Sequence, residues 1–341
     1  MSEQAASLST PGRRLAWASG VGRWYRRTLV EHRYLSVLIL LLLVSAFLSL
    51  NTRTFLTSNN LFNVARACSW IAIAAFGDSM VIIIGGVDLS VGAVMALAGL
   101  ISALCLQAGM PVPVAISAGL LTGGAAGWVN GILVGRVKLP SYIITLGTMS
   151  IARGLAFGLT GGWPVRDLPP GFGMLGIYKL PVWTWAIPLP VLIMLGLTVL
   201  VSLLLGQTVL GRYIYTLGSS ERALLVSGVN VVRIRILVYT LCGLLAAVGG
   251  LLMTARLGVA APTAALGYEL DVIAAVVIGG TSLFGRQGSV VGVLLGAVLM
   301  QITRNGLVLL GFSAYWQAVA IGAMILVAIL FDYWQRRKNL E

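Results

Sequence analysis

Few side chains of this chain could do chemistry, and the most informative is an aspartate inside an apolar stretch. Asp88 lies in Ile-Gly-Gly-Val-Asp-Leu-Ser-Val-Gly, residues 84–92, where Gly85 and Gly86 interrupt an otherwise continuous apolar helix. A carboxylate near the bilayer centre costs roughly 2.5 to 3.5 kcal/mol on insertion scales, so Asp88 needs a hydrogen-bond donor or water nearby. Because non-helical backbone at membrane depth must be buried in protein or line a watery cavity, the segment predicts a broken helix of the kind found in transporters.

A second glycine pair, Gly279 and Gly280, ends a later apolar stretch. This stretch, residues 270–279, is too short for an ordinary span, and it either crosses the membrane or forms a re-entrant half-helix. Repeat-built transporters place their sites at such breaks, so we predict that both breaks line a translocation pathway. The pathway residues are Gly85, Gly86, Asp88, Ser90, Gly279, Gly280, Thr281 and Ser282. Each break precedes a Val-Gly pair, which fits an internal duplication and equally fits the abundance of glycine in membrane helices.

The other ionisable side chains in apolar stretches each have two interpretations. Asp88 either caps the helix that follows it or takes part in gating. Arg153 either extends to the membrane surface or pairs with an acid, for which Asp78 is the candidate. Glu269 and Asp271 directly precede an apolar run, which favours the first turn of a helix over a proton relay.

The sequence lacks the residues that catalytic or metal chemistry needs. His32 is the only histidine and lies in the basic amino-terminal segment, and the three cysteines are too scattered for a disulfide framework or a metal site. There is no HExxH, no GxSxG and no glycine-rich loop ending in Gly-Lys-Ser/Thr. We therefore predict no catalytic residue, metal or cofactor in this chain, and any ATP-driven step needs ATP and magnesium on a separate chain.

The composition indicates an integral membrane protein. Hydrophobic residues make up 58% of the chain, charged residues make up 10%, and the mean hydropathy is +0.97. This leaves too little polar surface for a soluble globule. The cations behind the formal net charge of +13 flank apolar spans, so they indicate membrane lipid and not nucleic acid as a partner. We predict an all-α polytopic transmembrane bundle.

The hydropathy pattern predicts about ten spans, some broken or re-entrant, with both termini in the cytoplasm. They cover residues 34–50, 65–84, 91–107, a span ending at 135, 140–160, a span ending at 206, 236–255, 270–279, 289–303 and 314–331. Sixteen lysines and arginines then lie inside and six outside, in agreement with the positive-inside rule. The predicted domains are a basic cytoplasmic tail at 1–33, a membrane domain at 34–333 with a cytoplasmic loop at 207–235, and a cytoplasmic tail at 334–341.

The fourth span has a glycine at every fourth position. These glycines are Gly119, Gly123, Gly127, Gly131 and Gly135. Small residues at this spacing form a groove that lets a neighbouring backbone approach closely. Packing within the subunit is the favoured interpretation, and a dimer interface is the alternative.

The cytoplasmic loop contains the signal of a short helix. In residues 217–228, Leu-Gly-Ser-Ser-Glu-Arg-Ala-Leu-Leu-Val-Ser-Gly, two serines stand where a helix cap would, Glu221 falls in the first turn, and Gly228 is placed to end the helix. An isolated helix shorter than about 12 residues is marginal in water, so a surface should hold it. That surface is either a docked partner or the chain's own subunit and the lipid headgroups.

Four motifs, in this order, resemble those of the ribose-type permease family of bacterial ABC importers. They are Gly85-Gly-Val-Asp-Leu-Ser-Val-Gly92, Pro140-Ser-Tyr-Ile-Ile-Thr-Leu-Gly-Thr148 with Arg153-Gly154, Gly218 to Gly228, and the run from Gly267 to Ser282. The resemblance extends from about residue 55 to the end of the chain. It implies a non-enzymatic, multi-pass permease of the bacterial inner membrane that imports a monosaccharide or similar small polyol.

The resemblance also implies partners and a coupling element. The partners are a cytoplasmic ABC ATPase, a periplasmic sugar-binding protein and a second permease subunit, identical or not. The implied coupling helix to the ATPase consists of Ser219, Ser220, Glu221, Arg222, Ala223, Leu224 and Gly228. We expect Ala223 and Leu224 of this helix to pack into a cleft on the ATPase.

Two positions depart from the family's pattern. Asp78 stands where an uncharged residue is usual, and Arg286-Gln287 replaces a more glycine-rich turn. Asp78 could pair with Arg153 or mark a different substrate, which leaves the ligand open. The alternative function is an ion-coupled secondary transporter that uses the acids in the apolar stretches.

Overall fold

The computed structural model describes residues 33–182, 185–282 and 285–340. Its helices are α1 (Arg33–Asn51), α2 (Ser58–Ile83), α3 (Val91–Gln107), α4 (Val112–Ile132), α5 (Ser141–Thr160), α6 (Pro170–Ile177), α7 (Leu189–Gln207), α8 (Val209–Ser219), α9 (Glu221–Val226), α10 (Val231–Leu257), α11 (Tyr268–Ile278), α12 (Val290–Leu309) and α13 (Ala314–Leu340). A π-helical turn, Leu133–Val137, extends α4. The predicted tail at 1–33, with His32, lies outside the described residues except for Arg33.

Each predicted span corresponds to a helix, so the helical membrane architecture is confirmed. In the described part of the chain, six helices are long and apolar enough to cross a membrane: α2, α4 with its π turn, α5, α7, α10 and α12. Three shorter apolar helices cover Leu35–Asn51, Val91–Gln107 and Tyr315–Val327. The stretch predicted at 270–279 is α11, which has only 11 residues. α13 continues to Leu340 through most of the predicted tail at 334–341.

One short hairpin departs from the all-α prediction. Strands β1 (Lys179–Val182) and β2 (Trp185–Pro188) pair antiparallel between α6 and α7, with Leu180 opposite Ile187. Prolines at 181 and 188 disfavour helix, and the β-branched and aromatic residues between them favour extended backbone.

Prolines, glycines and one asparagine set several helix ends. Pro140 and Pro188 directly precede α5 and α7, where their fixed φ angle is compatible with a helix start. The side chain of Asn230 caps α10 by accepting the Arg233 N–H at 3.1 Å. Gly85 and Gly280 follow the ends of α2 and α11 with φ angles of +84° and +85°. Glycine adopts this left-handed backbone without the steric cost of a Cβ, so both breaks begin where the sequence predicts them.

Helix α2 runs through the middle of the subunit. In the 18-residue apolar stretch of α2, 94% is buried inside the subunit. The helix packs against α7, α10, α11 and α12. In the break that follows α2, Ile84, Gly86, Asp88 and Ser90 are buried, whereas Gly85 is exposed. Most of this non-helical backbone is therefore covered by protein.

The glycine stripe of α4 packs within the subunit, as favoured from the sequence. A Cβ at Gly123 would overlap the carbonyl oxygen of Gly243, and one at Gly127 would overlap the carbonyl oxygen of Tyr239. Gly131 is equally close to the backbone of Ile236. The stripe therefore brings α4 into backbone contact with α10 and is covered by its own subunit.

Candidate functional site: two helix breaks and the short helix α9

Asp88 holds the turn that precedes α3. Its Oδ1 atom accepts hydrogen bonds from the Ser90 N–H at 2.8 Å and the Ser90 hydroxyl at 2.6 Å. α3 begins at Val91 with Ser90 as its N-cap residue, and no side chain caps it. Asp88 thus closes a local Asx-type turn two residues ahead, and the helix amides that the capping interpretation required are not its partners. Asp88 is 2% exposed, and the side chains of Cys242 and Asn130 also hydrogen-bond to it, so several donors stabilise this buried group.

Hydroxyl groups of α5 satisfy the other free amides of the first break. The Val87 N–H donates to the Ser141 hydroxyl at 3.1 Å, and the Leu89 N–H donates to the Thr145 hydroxyl at 3.1 Å. Ser141 and Thr145 lie four residues apart and therefore share one helix face. These two residues were not predicted as part of the site, although their spacing in an apolar helix could have indicated a shared polar face.

A fully buried asparagine extends the polar cluster into α4. The Nδ2 atom of Asn130 donates to the Ser90 hydroxyl at 3.1 Å, and the Thr148 hydroxyl donates to the Asn130 Oδ1. Asn130 is 0% exposed. Together with Asp88 it joins the first break to α4 and α5 by hydrogen bonds, which are costly to break in a site that water does not reach. Asn130 was also missed, because a single amide among glycines gives little signal.

The predicted pair between Asp78 and Arg153 is not formed. The Oδ1 of Asp78 accepts the Asp88 N–H at 3.3 Å, and its Oδ2 is buried without a hydrogen-bond partner among the described residues. The Arg153 guanidinium instead donates to the carbonyl oxygens of Pro262 and Ala264 at 2.7 and 2.8 Å. The loop before α11 supplies these carbonyls, and the Glu269 carboxylate interacts electrostatically with the same guanidinium.

The two glycine breaks meet each other. The Arg286 N–H, beyond the second break, donates to the carbonyl oxygen of Ile83, at the end of α2, at 3.1 Å. Gly285, with a φ angle of +78°, lies so close that a Cβ there would come within 2.9 Å of the same oxygen. We call this meeting point, formed by Ile83, Gly285 and Arg286, the break junction. Neither break predicted it alone, since it depends on how α2 and α11 pack.

The side chains predicted at the second break are buried inside the subunit. Thr281 and Ser282 are 1% and 0% exposed, and the Ser282 N–H donates to the Gln287 carbonyl at 3.1 Å. Gly279 packs against the backbone of Gly292 in α12, where a Cβ would come within 2.5 Å of the carbonyl oxygen. The second break is therefore held against α12 by backbone contact.

The short helix predicted within residues 217–228 is α9 (Glu221–Val226). Ser220 caps it by accepting the Ala223 N–H at 3.3 Å, Glu221 lies in its first turn, and Gly228 follows it with a φ angle of +74°. Ser219 is the last residue of α8 and not part of this helix. Glu221 binds Arg235 of α10 at 2.7 Å, which holds α9 to its own subunit.

The faces of α9 differ from the prediction. Leu224, predicted to enter a cleft on a partner, is 3% exposed and packs into the core of its own subunit. Leu225 and Val226 are 57% and 84% exposed, and Arg222 and Ala223 are exposed as well. The helix is thus anchored by one leucine and presents a small apolar surface on its other side.

A cavity of about 540 Å³ lies between the first break and α9. Gly85 and Gly86 line one side, and Glu221 and Leu225 line the other. Its remaining lining residues are Ile84, Val134, Lys138, Leu139, Ser141, Arg235 and Tyr239. The cavity therefore separates the first break from α9, and Lys138, Glu221 and Arg235 are its charged lining residues.

Glu269 and Asp271 lie in the first turn of α11, as predicted. Asp271 binds Arg304 of α12 at 2.7 Å, and the guanidinium also lies over the Tyr268 ring, 5.6 Å from its centroid. This partner was not predicted, because Arg304 is 33 residues away in sequence. In the described part of the chain, no three His, Cys, Asp or Glu side chains gather as metal ligands.

Two largely buried helix breaks that are hydrogen-bonded to each other, in a chain whose described part has six helices long and apolar enough to cross a membrane, are typical of a multi-pass membrane transport protein. We therefore assign the chain to the integral membrane permeases. Comparison with known proteins then gives the family.

The chain belongs to the family whose model is described as branched-chain amino acid transport system / permease component, which matches residues 60–329. It is 43% identical over 321 residues to the ribose import permease protein RbsC of Escherichia coli K12, covering 91% of this chain and 97% of the relative. It is 35% identical over 301 residues to the D-allose transport system permease protein AlsC of the same strain, covering 88% and 91%. It is 33% identical over 306 residues to the fructose import permease protein FrcC of Rhizobium meliloti, covering 88% and 85%. No solved structure gives a significant match.

These comparisons confirm the resemblance to the ribose-type permeases of ABC importers. The chain is accordingly a transport subunit and not an enzyme. Permeases of this kind act together with an ATPase and a binding protein.

Proposed function

We propose that this chain forms the translocation pathway of an ABC importer for a monosaccharide or similar small polyol. A periplasmic binding protein would deliver the substrate, and a cytoplasmic ATPase with its ATP and magnesium would drive the import. The observation that carries the proposal is the position of α9: its exposed Leu225 lines the same cavity as the broken backbone at Gly85 and Gly86, and exposed Val226 follows it. A partner docked on this surface would act directly beside the first break.

The proposed pathway residues are those of the two breaks. Gly85, Gly86, Asp88 and Ser90 form the first, and Gly279, Gly280, Thr281 and Ser282 form the second. The hydrogen bond at the break junction supports a common role, because two interrupted helices that share a backbone contact can rearrange as one unit.

The proposed arrangement in the membrane has about ten spans with both termini in the cytoplasm. The distribution of cations supports it, with sixteen inside and six outside. We further propose a bacterial inner-membrane location and a dimer of permease subunits.

The relatives favour a sugar over an amino acid as substrate. The family model is described by branched-chain amino acid transport, whereas the relatives above are permeases for ribose, D-allose and fructose. The test is uptake into proteoliposomes that contain this chain, its ATPase and its binding protein. We expect ATP-dependent uptake of one of these three sugars and none of leucine, isoleucine or valine. Uptake of an amino acid alone would overturn the proposal.

Ion-coupled secondary transport is the second candidate, and one observation favours it. The Oδ2 of Asp78 is buried without a partner among the described residues, as a proton-carrying carboxyl could be. Proteoliposomes that contain only this chain decide between the two. Uptake driven by a proton or sodium gradient, without ATP or further proteins, would establish secondary transport.

A further inference from the structure

Helix α8 contacts both glycine breaks where they meet. At the break junction, the hydrogen bond from the Arg286 N–H to the Ile83 carbonyl is 3.1 Å long. Gly218 of α8 lies directly on this bond, so that a Cβ there would overlap the Ile83 oxygen and come within 2.9 Å of the Arg286 nitrogen. α8 can approach the junction this closely because residue 218 has no side chain.

Tyr215 gives α8 a second contact, this time with the second break alone. Its hydroxyl donates to the Gly288 carbonyl oxygen at 2.9 Å. Gly288 in turn lies against Ile83 and Thr281, since a Cβ there would come within 2.9 Å of a side-chain atom of each. Partial burial raises the pKa of Tyr215, so its hydroxyl stays protonated and able to donate.

One residue joins α8 to α9. The Ser220 N–H donates to the Thr216 carbonyl of α8 at 2.7 Å, and the Ser220 hydroxyl accepts the Ala223 N–H of α9 at 3.3 Å. Ser220 is thus hydrogen-bonded to both helices. Because Ser220 is the only residue between the two helices and is hydrogen-bonded to both, a displacement of α9 would also move α8.

We propose that α8 is a lever that couples α9 to both glycine breaks, with Gly218 and Tyr215 as its positioning residues. This proposal rests on the coupling role of α9 given above and adds the route. A push on α9 reaches the end of α2 through Gly218 and the segment after α11 through Gly218 and Tyr215. Since both breaks receive the motion from one helix, they change conformation together and not in sequence.

The first experiment compares Tyr215→Phe and Gly218→Ala with the wild type in proteoliposomes with the ATPase and the binding protein. Uptake of radiolabelled D-ribose, D-allose and D-fructose is measured together with ATP hydrolysis. We expect both variants to keep the ATPase bound and hydrolysing, while the sugar transported per ATP falls about fivefold or more, which is the range of an ordinary coupling energy. Melting temperature and the amount of bound ATPase show whether each variant is folded and assembled.

The matched controls are Tyr213→Phe and Gly206→Ala. Tyr213 is on the same helix without a hydroxyl hydrogen bond to any described residue, and nothing lies within 4 Å of a Cβ at Gly206. Both controls should keep the wild-type ratio of sugar to ATP. If Gly218→Ala fails to fold, Tyr215→Phe decides the question. Normal coupling in folded Tyr215→Phe would overturn the lever.

The second experiment needs no substrate, so it separates the lever from the proposed function. Spin labels are placed at Arg222→Cys on α9 and Gln287→Cys beyond the second break, both exposed positions, after Cys68, Cys105 and Cys242 are replaced by alanine. A lever predicts one distance between the labels that is kept when ATP binds the assembled transporter. It also predicts the loss of this single distance in Tyr215→Phe. If the wild type shows no uptake but the distances behave as stated, the proposed function fails and the lever stands. Labels that separate in the wild type on ATP binding contradict the lever alone.

Discussion

The backbone N–H of Asp88 donates a 3.3 Å hydrogen bond to the carboxylate of Asp78, so two acidic side chains share one buried turn. Asp88 uses its own carboxylate on Ser90, whereas Asp78 contributes only one of its two oxygens. The two carboxylates therefore have different tasks: Asp88 shapes the turn, and Asp78 satisfies one amide of it.

Two substitutions of Asp88, to asparagine and to leucine, should separate the role of its hydrogen-bonding oxygen from the role of its charge. Asp88→Asn keeps an oxygen that can accept from Ser90, so we expect normal folding and transport. Asp88→Leu leaves two Ser90 donors without their acceptor and should destabilise the protein by about 1 to 3 kcal/mol. Thermal unfolding in detergent measures this difference. An Asp88→Asn variant that folds normally but does not transport would show that the charge itself takes part in gating.

At Asp78, replacement of the carboxyl by an amide should not harm the protein. Asp78→Asn keeps the oxygen that accepts the Asp88 N–H and has nearly the same shape as the carboxyl. We expect a melting temperature equal to or above that of the wild type, with ATP-driven uptake retained. Loss of gradient-driven uptake in this variant would instead support the secondary transporter.

The contact between α4 and α10 should be sensitive to a single methyl group. Gly127→Ala places a Cβ against the Tyr239 carbonyl, while Gly147→Ala on α5 meets nothing within 4 Å. We expect the first substitution to cost about 1 to 3 kcal/mol, as overpacking does, and the second to cost little. Equal unfolding temperatures for the two variants would mean that α4 can move away from α10 freely.

The sequence predicted elements well and contacts between distant elements poorly. The positions of Gly85 and Gly280 predicted the two breaks, because a left-handed backbone turn favours glycine. The capped helix at Ser220 and the close packing at Gly127 were likewise local or periodic signals.

What the sequence did not show depends on packing between elements. The break junction joins Ile83 to Arg286, and Arg153 donates to the Pro262 carbonyl. In both contacts the two residues are far apart in sequence, so no local pattern predicts them. Leu224 was placed on the wrong face of α9 because a six-residue helix has too few positions to define its buried side. One signal was available and unused, the shared helix face of Ser141 and Thr145.

The ion pair between Asp271 and Arg304 should stabilise the protein, and it should not determine the pH dependence of uptake. Asp271 is 3% exposed and Arg304 is 31% exposed, so the pair is only partly screened by solvent. We expect Asp271→Asn and Arg304→Gln each to destabilise the protein by about 1 to 3 kcal/mol, with a double variant less unstable than the sum, which a double-mutant cycle measures. Uptake by Glu269→Gln/Asp271→Asn should keep the wild-type pH profile. A shifted profile would return these acids to the proton-relay interpretation.

The exposed face of α9 should decide whether the ATPase binds. Leu225→Glu and Val226→Glu introduce charge on the small apolar surface, and a charge buried unpaired in an interface is strongly unfavourable, so we expect loss of the ATPase from affinity-purified permease. Ala223→Trp adds bulk to the same exposed surface and Gly228→Val strains a φ angle of +74°, so both should reduce retention or uncouple hydrolysis from uptake. Arg222→Gln is the control and should do little.

Leu224→Ala separates docking from the internal anchor of α9. Leu224 is buried in its own subunit, so truncation should destabilise the permease by about 2 to 5 kcal/mol, as in other cores, while the exposed variants leave its melting temperature unchanged. The measurements are melting temperature, ATPase retention and uptake in proteoliposomes. Because the glutamates lie on a surface that this subunit leaves uncovered, full retention and uptake in both Leu225→Glu and Val226→Glu would show that the ATPase docks elsewhere.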